Sequence, residues 1–221
     1  MIIGRILSSA VGSQRWVLVV IAMLLFFMGG IWFYPFVKEE KTVLLIISII
    51  NQLSCLAFIL GSDFGCLHRG STEWKSGRVV LISSLLGFFS VAFSALWVKG
   101  LVEIGIEHEK QEMVSLLVQE ERGIQIGTIF FVIVIAPVVE EMLFRNVLLP
   151  SLAERFDDVF AIVLTGILFG VMHLESLTSV PPLILFGILL GVLRQKYKSV
   201  MPAIIAHFAN NSVVVCFMLF F

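Results

Sequence analysis

Seven apolar runs, most of them close to twenty residues long, follow one another through the chain: 16–37, 42–61, 79–98, 124–149, 159–174, 180–193 and 200–221. A helix crossing the hydrocarbon of a bilayer needs about 20 such residues, and in lipid each segment must satisfy its own backbone amides. Only 14% of the 221 residues are charged, where about 25% is usual in a soluble domain, and the mean hydropathy is +1.04. The chain therefore reads as all-α, a polytopic transmembrane bundle of about seven spans. The fifth and sixth runs are short, and the sixth opens on Pro181-Pro182, so one of them is expected to tilt or to enter the membrane only partway.

The first run follows Arg5 and Arg15 but exceeds a signal-peptide core and lacks a small-x-small cleavage site, so a retained helix is expected. Residues 1–14 alternate apolar with small and basic residues, which suits the membrane surface. Basic residues set orientation. With the N-terminus inside, Arg5, Arg15, Arg69, Lys75, Arg78, Arg145, Arg155, Arg194, Lys196 and Lys198 face the cytoplasm, and Lys38, Lys41, Lys99, Lys110 and Arg122 face out. The expectation is N-in and C-out in a bacterial-type plasma membrane or its equivalent. A single integral-membrane unit over 1–221 follows from the absence of an internal repeat or linker.

Net charge is −1, which offers nucleic acid no electrostatic footing. Cys55, Cys66 and Cys216 form no ligand or redox spacing and read as packing residues. The polar stretch 99–123 carries His108 four residues before Glu112; lacking a second histidine, it reads as a solvated amphipathic connector rather than a metal site. His68 takes the same reading.

Against this apolar background, a few ionisable and amide side chains stand out. Such groups at membrane depth are expensive and mark chemistry or a pathway. In the fourth run, Glu141 and Arg145 lie four apart on one helical face and can pair, while Glu140 must point toward a neighbouring helix. Pro137 frees the carbonyl four residues earlier and should kink the helix just before the glutamates, and Pro150 closes the run. His173 ends the fifth run, one turn after Phe169. His207 and Asn211 share a face of the last run among small residues that permit close helix approach; Asn210 points off that face and reads as a packing amide.

Taken singly, each group has a plainer reading: an interfacial ion pair, a satisfied histidine at a helix end, an interhelical hydrogen bond. Jointly they supply a glutamate to activate water, histidine to orient it or bind metal, and an amide to meet an oxyanion. Those are the parts for hydrolysing an amide bond.

The ordered set Glu140-Glu141-Met-Leu-Phe-Arg145, Phe169-Gly-Val-Met-His173 and His207-Phe-Ala-Asn-Asn211 resembles the CAAX-protease and bacteriocin-processing (Abi) family of intramembrane proteases. The resemblance covers about residues 124–215, a protease core in the C-terminal four spans. It implies an intramembrane endopeptidase acting on a peptide or membrane-tethered protein. Glu140 would be the general base, His173 would help hold the water, His207 and Asn211 would stabilise the oxyanion, and Glu141, Arg145 and Phe169 would support the site. The family is often labelled metalloprotease. Glu140, His173 and His207 could supply a two-histidine, one-carboxylate zinc set, but no HExxH is present and metal-independent hydrolysis is slightly favoured. Two other readings stay open: a non-catalytic protein of the same fold in peptide immunity or binding, and a small proton-coupled transporter. By helix rise Glu140 and His207 lie at similar depths, about 13 and 12 Å inside the inner surface, but His173 lies about 21 Å along its run from Val159, so the fifth helix must tilt or start late to join them.

Overall fold

A computed structural model describes residues 21–23, 41–61, 72–108, 122–174 and 176–220, and these are helices and turns with no strand among them. Helix α1 spans Lys41–Gly61 and α2 Gly77–Glu103; a continuous rod, α3, runs Arg122–Ala153; α4 is Asp158–Val171, α5 Val180–Tyr197 and α6 Met201–Phe220. Four helical stretches, Gly77–Glu103, Arg122–Ala153, Leu177–Tyr197 and Met201–Phe220, are long and apolar enough to cross a membrane, with Leu45–Gly61 and Asp158–Val171 as shorter apolar helices. The protein is an integral membrane helix bundle. The expected first span, 16–37, lies outside the described residues except at 21–23, as do the connector beyond residue 108, the surface segment 1–14 and His68. Where residues 21–23 are seen, they pack on α1, with the Cys55 thiol donating to the Ala22 carbonyl at 3.5 Å.

The sixth run was expected to be short, and the helix it forms is not. Its prolines Pro181 and Pro182 fall in the first turn of α5, where no intrahelical N–H is required, and Arg194-Gln195-Lys196-Tyr197 carry the helix past the apolar stretch. A backbone ladder is indifferent to whether the side chains outside it are greasy. It stops at Lys198, whose φ of 49° is left-handed. The fifth helix is short, as expected, with 14 residues. It is launched by Asp157, whose carboxylate accepts from the Phe160 amide at 2.9 Å, as N-caps do.

Proline shapes α3 differently from expectation. Pro150 does not close the run; the rod continues to Ala153. Two π-helical turns interrupt it, Phe131–Ile135 and Met142–Leu148, in which Ala136 donates to Phe131 and Leu149 to Phe144. The next residue in each case is a proline, Pro137 or Pro150. A widened turn relieves the clash between the proline ring and the preceding carbonyls, and the residue without an N–H stands where the five-residue ladder returns to four. The carbonyl used by a partner is therefore that of Val132, five residues before Pro137, rather than the one four before.

Helices α4 and α5 pack as a close pair, α6 packs on α2 and α5, and α3 touches α1, α4, α5 and α6. The closest approaches require glycine. A Cβ on Gly87 would run into the Ala206 carbonyl of α6, and one on Gly166 would lie 2.8 Å from the Ile188 backbone nitrogen of α5. Since backbone cannot swing aside, Gly87→Val should push α6 off α2 and cost about 1–3 kcal/mol or more. Thermal unfolding of the purified protein checks this, and an unchanged midpoint would contradict the packing.

Both ends of the bundle are identifiable. Trp97 donates its indole N–H to the Thr178 carbonyl at 2.9 Å, and His108 Nδ1 meets the Thr178 hydroxyl at 2.7 Å. The segment after α2 and the turn before α5 thus share one end. His108 is anchored there rather than simply solvated, a contact across 70 residues that its local sequence gave no sign of. The opposite end gathers the α3–α4 and α5–α6 connections.

Candidate active site

Four of the singled-out side chains meet where α3 faces α6. Glu141 is fully buried and its Oε1 accepts two hydrogen bonds, from Arg145 Nη1 and from His207 Nδ1, each 2.9 Å. Arg145 is also fully buried. Its second terminal nitrogen donates to the Gly187 carbonyl of α5 at 2.9 Å, and its guanidinium carbon lies 4.6 Å from the centre of the Phe169 ring and 5.6 Å from that of Phe144. The planar fork and the aromatic face are what a buried guanidinium needs to offset its lost hydration. Thus one ion pair ties α3 to α5 and α6 together and stacks on α4.

Glu140 sits beside this pair and reaches the same histidine from the other side, its Oε2 3.9 Å from His207 Nε2. That gap is too long for a hydrogen bond. Side-chain exposure separates the two carboxylates: 12% for Glu140 against 0% for Glu141. The sequence expectation that Glu141 pairs with Arg145 and Glu140 turns to a neighbouring helix describes the arrangement. What it did not contain is that Glu141 also grips His207, so the brace of the fourth run and the orientation of the imidazole are one interaction.

His207 is boxed by aromatic edges, with ring-centre separations of 5.7 Å to Phe169 and 5.5 Å to Phe186. His173 follows the end of α4 and its ring lies 5.4 Å from Phe169. Both imidazoles therefore border the same phenyl ring, although α4 begins at Asp158 and so does not start late. Nδ1 of His173 lies 2.9 Å from the Phe169 carbonyl. A carbonyl only accepts, so this nitrogen carries the proton and Nε2 is left with its lone pair. By the same reasoning Nδ1 of His207 donates to the Glu141 carboxylate.

Asn211 is one turn beyond His207, and its Nδ2 donates to the Val132 carbonyl at 2.8 Å. This is the acceptor that would have paired with residue 137 had that residue an N–H. The amide of α6 substitutes for the donor that proline removed, and leaves its second N–H uncommitted to that bond. Asn210 packs away from the site, its Nδ2 2.6 Å from the Ser90 hydroxyl of α2. Phe186, Gly187 and Val132 were not singled out from sequence. Two of them act through backbone carbonyls, which any residue type carries, so no motif could point to them.

No group of three or more His, Cys, Asp or Glu side chains among the described residues is placed to hold a metal ion. Glu140, His173 and His207 form no such group; each histidine commits only Nδ1, His207 to Glu141 and His173 to its own helix.

Residues 122–213 match the family described as type II CAAX prenyl endopeptidase, Rce1-like. The matched segment opens at the start of α3 and closes two residues after Asn211. No curated protein and no solved structure matches the chain.

Proposed function

We propose that this chain, which belongs through residues 122–213 to the CAAX protease family, is an intramembrane endopeptidase that hydrolyses a peptide bond of a peptide or membrane-tethered protein by glutamate-activated water. The observation that carries the reading is the pairing of carboxylates on one imidazole, with Glu140 at 3.9 Å and partly accessible and Glu141 locked and sealed. A water donating one hydrogen to Glu140 and the other to Nε2 of His173 has its oxygen lone pairs left for the scissile carbonyl. Glu140 takes the proton as the water attacks and delivers it to the departing amine. The oxyanion is met by His207 and by the second N–H of Asn211. His207, with its Nδ1–H on a carboxylate, is positioned as a carboxylate–histidine pair and donates from Nε2 when protonated. Each step uses only these side chains and the water.

The decisive experiment is cleavage of a lipid-anchored CAAX peptide by the full chain reconstituted in bilayers, with the new C-terminus identified by mass spectrometry. Appearance of a cut fragment with the parent and its loss with an active-site variant is the expected result; equal fragment in both overturns the assignment, and none from the parent removes the CAAX peptide as its substrate. Asn211→Ala should lower turnover by about 2.7–4 kcal/mol, the cost of one lost oxyanion donor. It should also lower stability by about 1–3 kcal/mol, because the Val132 carbonyl loses its partner. A fall in stability with unchanged turnover would confine Asn211 to a packing role.

Orientation is part of the same proposal. N-in, C-out places Glu140 toward the cytoplasm, so substrate arrives from the cytosol or inner leaflet. On a cysteine-free background in intact cells, an impermeant thiol reagent should label Ser115→Cys and spare Ser71→Cys and Ser199→Cys. The reverse pattern inverts the protein, and labelling of both Ser115→Cys and Ser71→Cys contradicts the number of spans.

A further inference from the structure

At the end of the bundle opposite the Thr178 turn, a cavity of about 240 Å³ lies between the last turns of α3 and α5. Its α3 wall is apolar, formed by Leu149, Pro150 and Ala153, and its α5 wall carries Arg194, Gln195 and Lys198. Arg194 is 2% exposed, and its Nε and Nη2 have no hydrogen-bond partner among the described residues. A guanidinium keeps its charge, and burying one without partners costs several kcal/mol. Glu154, the carboxylate on the same cavity, is exposed and leaves those two nitrogens unmatched. Arg145 differs: only its Nε lacks a partner, its two terminal nitrogens being met by Glu141 and the Gly187 carbonyl, whereas Arg194, seven residues beyond Gly187, lines a cavity.

We propose that this cavity binds the phosphate of an anionic phospholipid headgroup, with Arg194 as its buried cation and Lys198 as the cation at its rim. A guanidinium fork matches two phosphate oxygens. The site lies at the ends of the apolar runs 124–149 and 180–193, the level at which headgroups are expected, and its other wall is apolar, suited to the glycerol and first methylenes of a lipid rather than to a free ion. Its volume corresponds to about eight waters at about 30 Å³ each, enough for a phosphate with its ester atoms but not for acyl chains, which must run out along the bundle. Arg155 and Lys196, both exposed at this end, add to the attraction for an anionic surface. This assignment stands apart from the hydrolytic reading, since none of its residues touches Glu140 or His207.

The test uses the full chain in detergent, with native mass spectrometry counting retained phosphatidylglycerol against phosphatidylcholine supplied at equal concentration. The parent should retain phosphatidylglycerol in preference, and Arg194→Gln should weaken that retention about tenfold or more, as loss of charged hydrogen bonds does. Lys198→Asn, which keeps a residue tolerant of the left-handed turn, should weaken it about fivefold and serves as the deciding variant if Arg194→Gln does not fold. Equal retention of the two lipids by the parent, or retention unchanged in Lys198→Asn and Arg194→Gln, overturns the site. If millimolar inorganic phosphate displaces the lipid and raises the melting temperature of the parent but not of Arg194→Gln, the anion site stands and its lipid source is overturned.

Discussion

Glu140→Gln in purified, reconstituted protein should insert and melt like the parent yet lose peptide cleavage by about 10²–10⁴-fold, the usual contribution of a positioned general base. The substitution keeps the size and hydrogen-bonding atoms of the side chain, and among the described residues Glu140 makes no hydrogen bond and no ion pair beyond its 3.9 Å approach to His207. Little structure depends on its charge, whereas the proposed reaction depends on it entirely. Thermal unfolding and single-turnover cleavage measured on the same preparation separate the two. Normal cleavage by this variant would remove Glu140 from the chemistry and, with it, the proposed mechanism.

The second large effect is on stability. Arg145→Met should cost about 3–5 kcal/mol, because it leaves the Glu141 carboxylate charged at 0% exposure with only the His207 N–H to meet it. It also frees the Gly187 carbonyl and loosens the hold on His207, so cleavage should fall with the fold. Arg145→Lys should not restore the parent, since a single ammonium does not reproduce a fork that meets a carboxylate on its own helix and a carbonyl on α5 while lying over Phe169. The double variant Glu141→Gln with Arg145→Met removes both charges and should recover much of the lost stability without recovering turnover. If the double variant is as unstable as Arg145→Met alone, the cost does not come from a stranded charge.

These two residues also show how differently the parts of a site are written into a chain. The pairing of Glu141 with Arg145 was legible because it is local: four residues on a helix share a face, and the structure has that bond. Glu140 was legible as the carboxylate that points away. That His207 receives both carboxylates was not, because residues 66 positions apart are joined only by the way α3 meets α6.

Proline behaves similarly. From sequence, Pro137 kinks the helix and Pro150 closes it; in the bundle each follows a π turn that absorbs it, and a tertiary donor, Asn211, covers the carbonyl left behind Pro137. A local rule states that a proline disturbs a ladder, but whether the helix ends, kinks or widens depends on what neighbouring helices offer to the freed groups.

By itself, then, the order of apolar runs determined an all-helical membrane protein, and the spacing within them determined which polar side chains share a helical face, since both depend on helix rise and lipid alone. Only the tertiary structure decided which faces meet: Glu140 and Glu141 on His207, Phe169 between two imidazoles, the Gly187 carbonyl on Arg145, and Arg194 on a cavity, two of its nitrogens without a partner among the described residues. Helix–helix contact in lipid is selected by close fit and by satisfying buried polar groups, and those are properties of surfaces assembled from distant segments, which no single stretch of sequence contains.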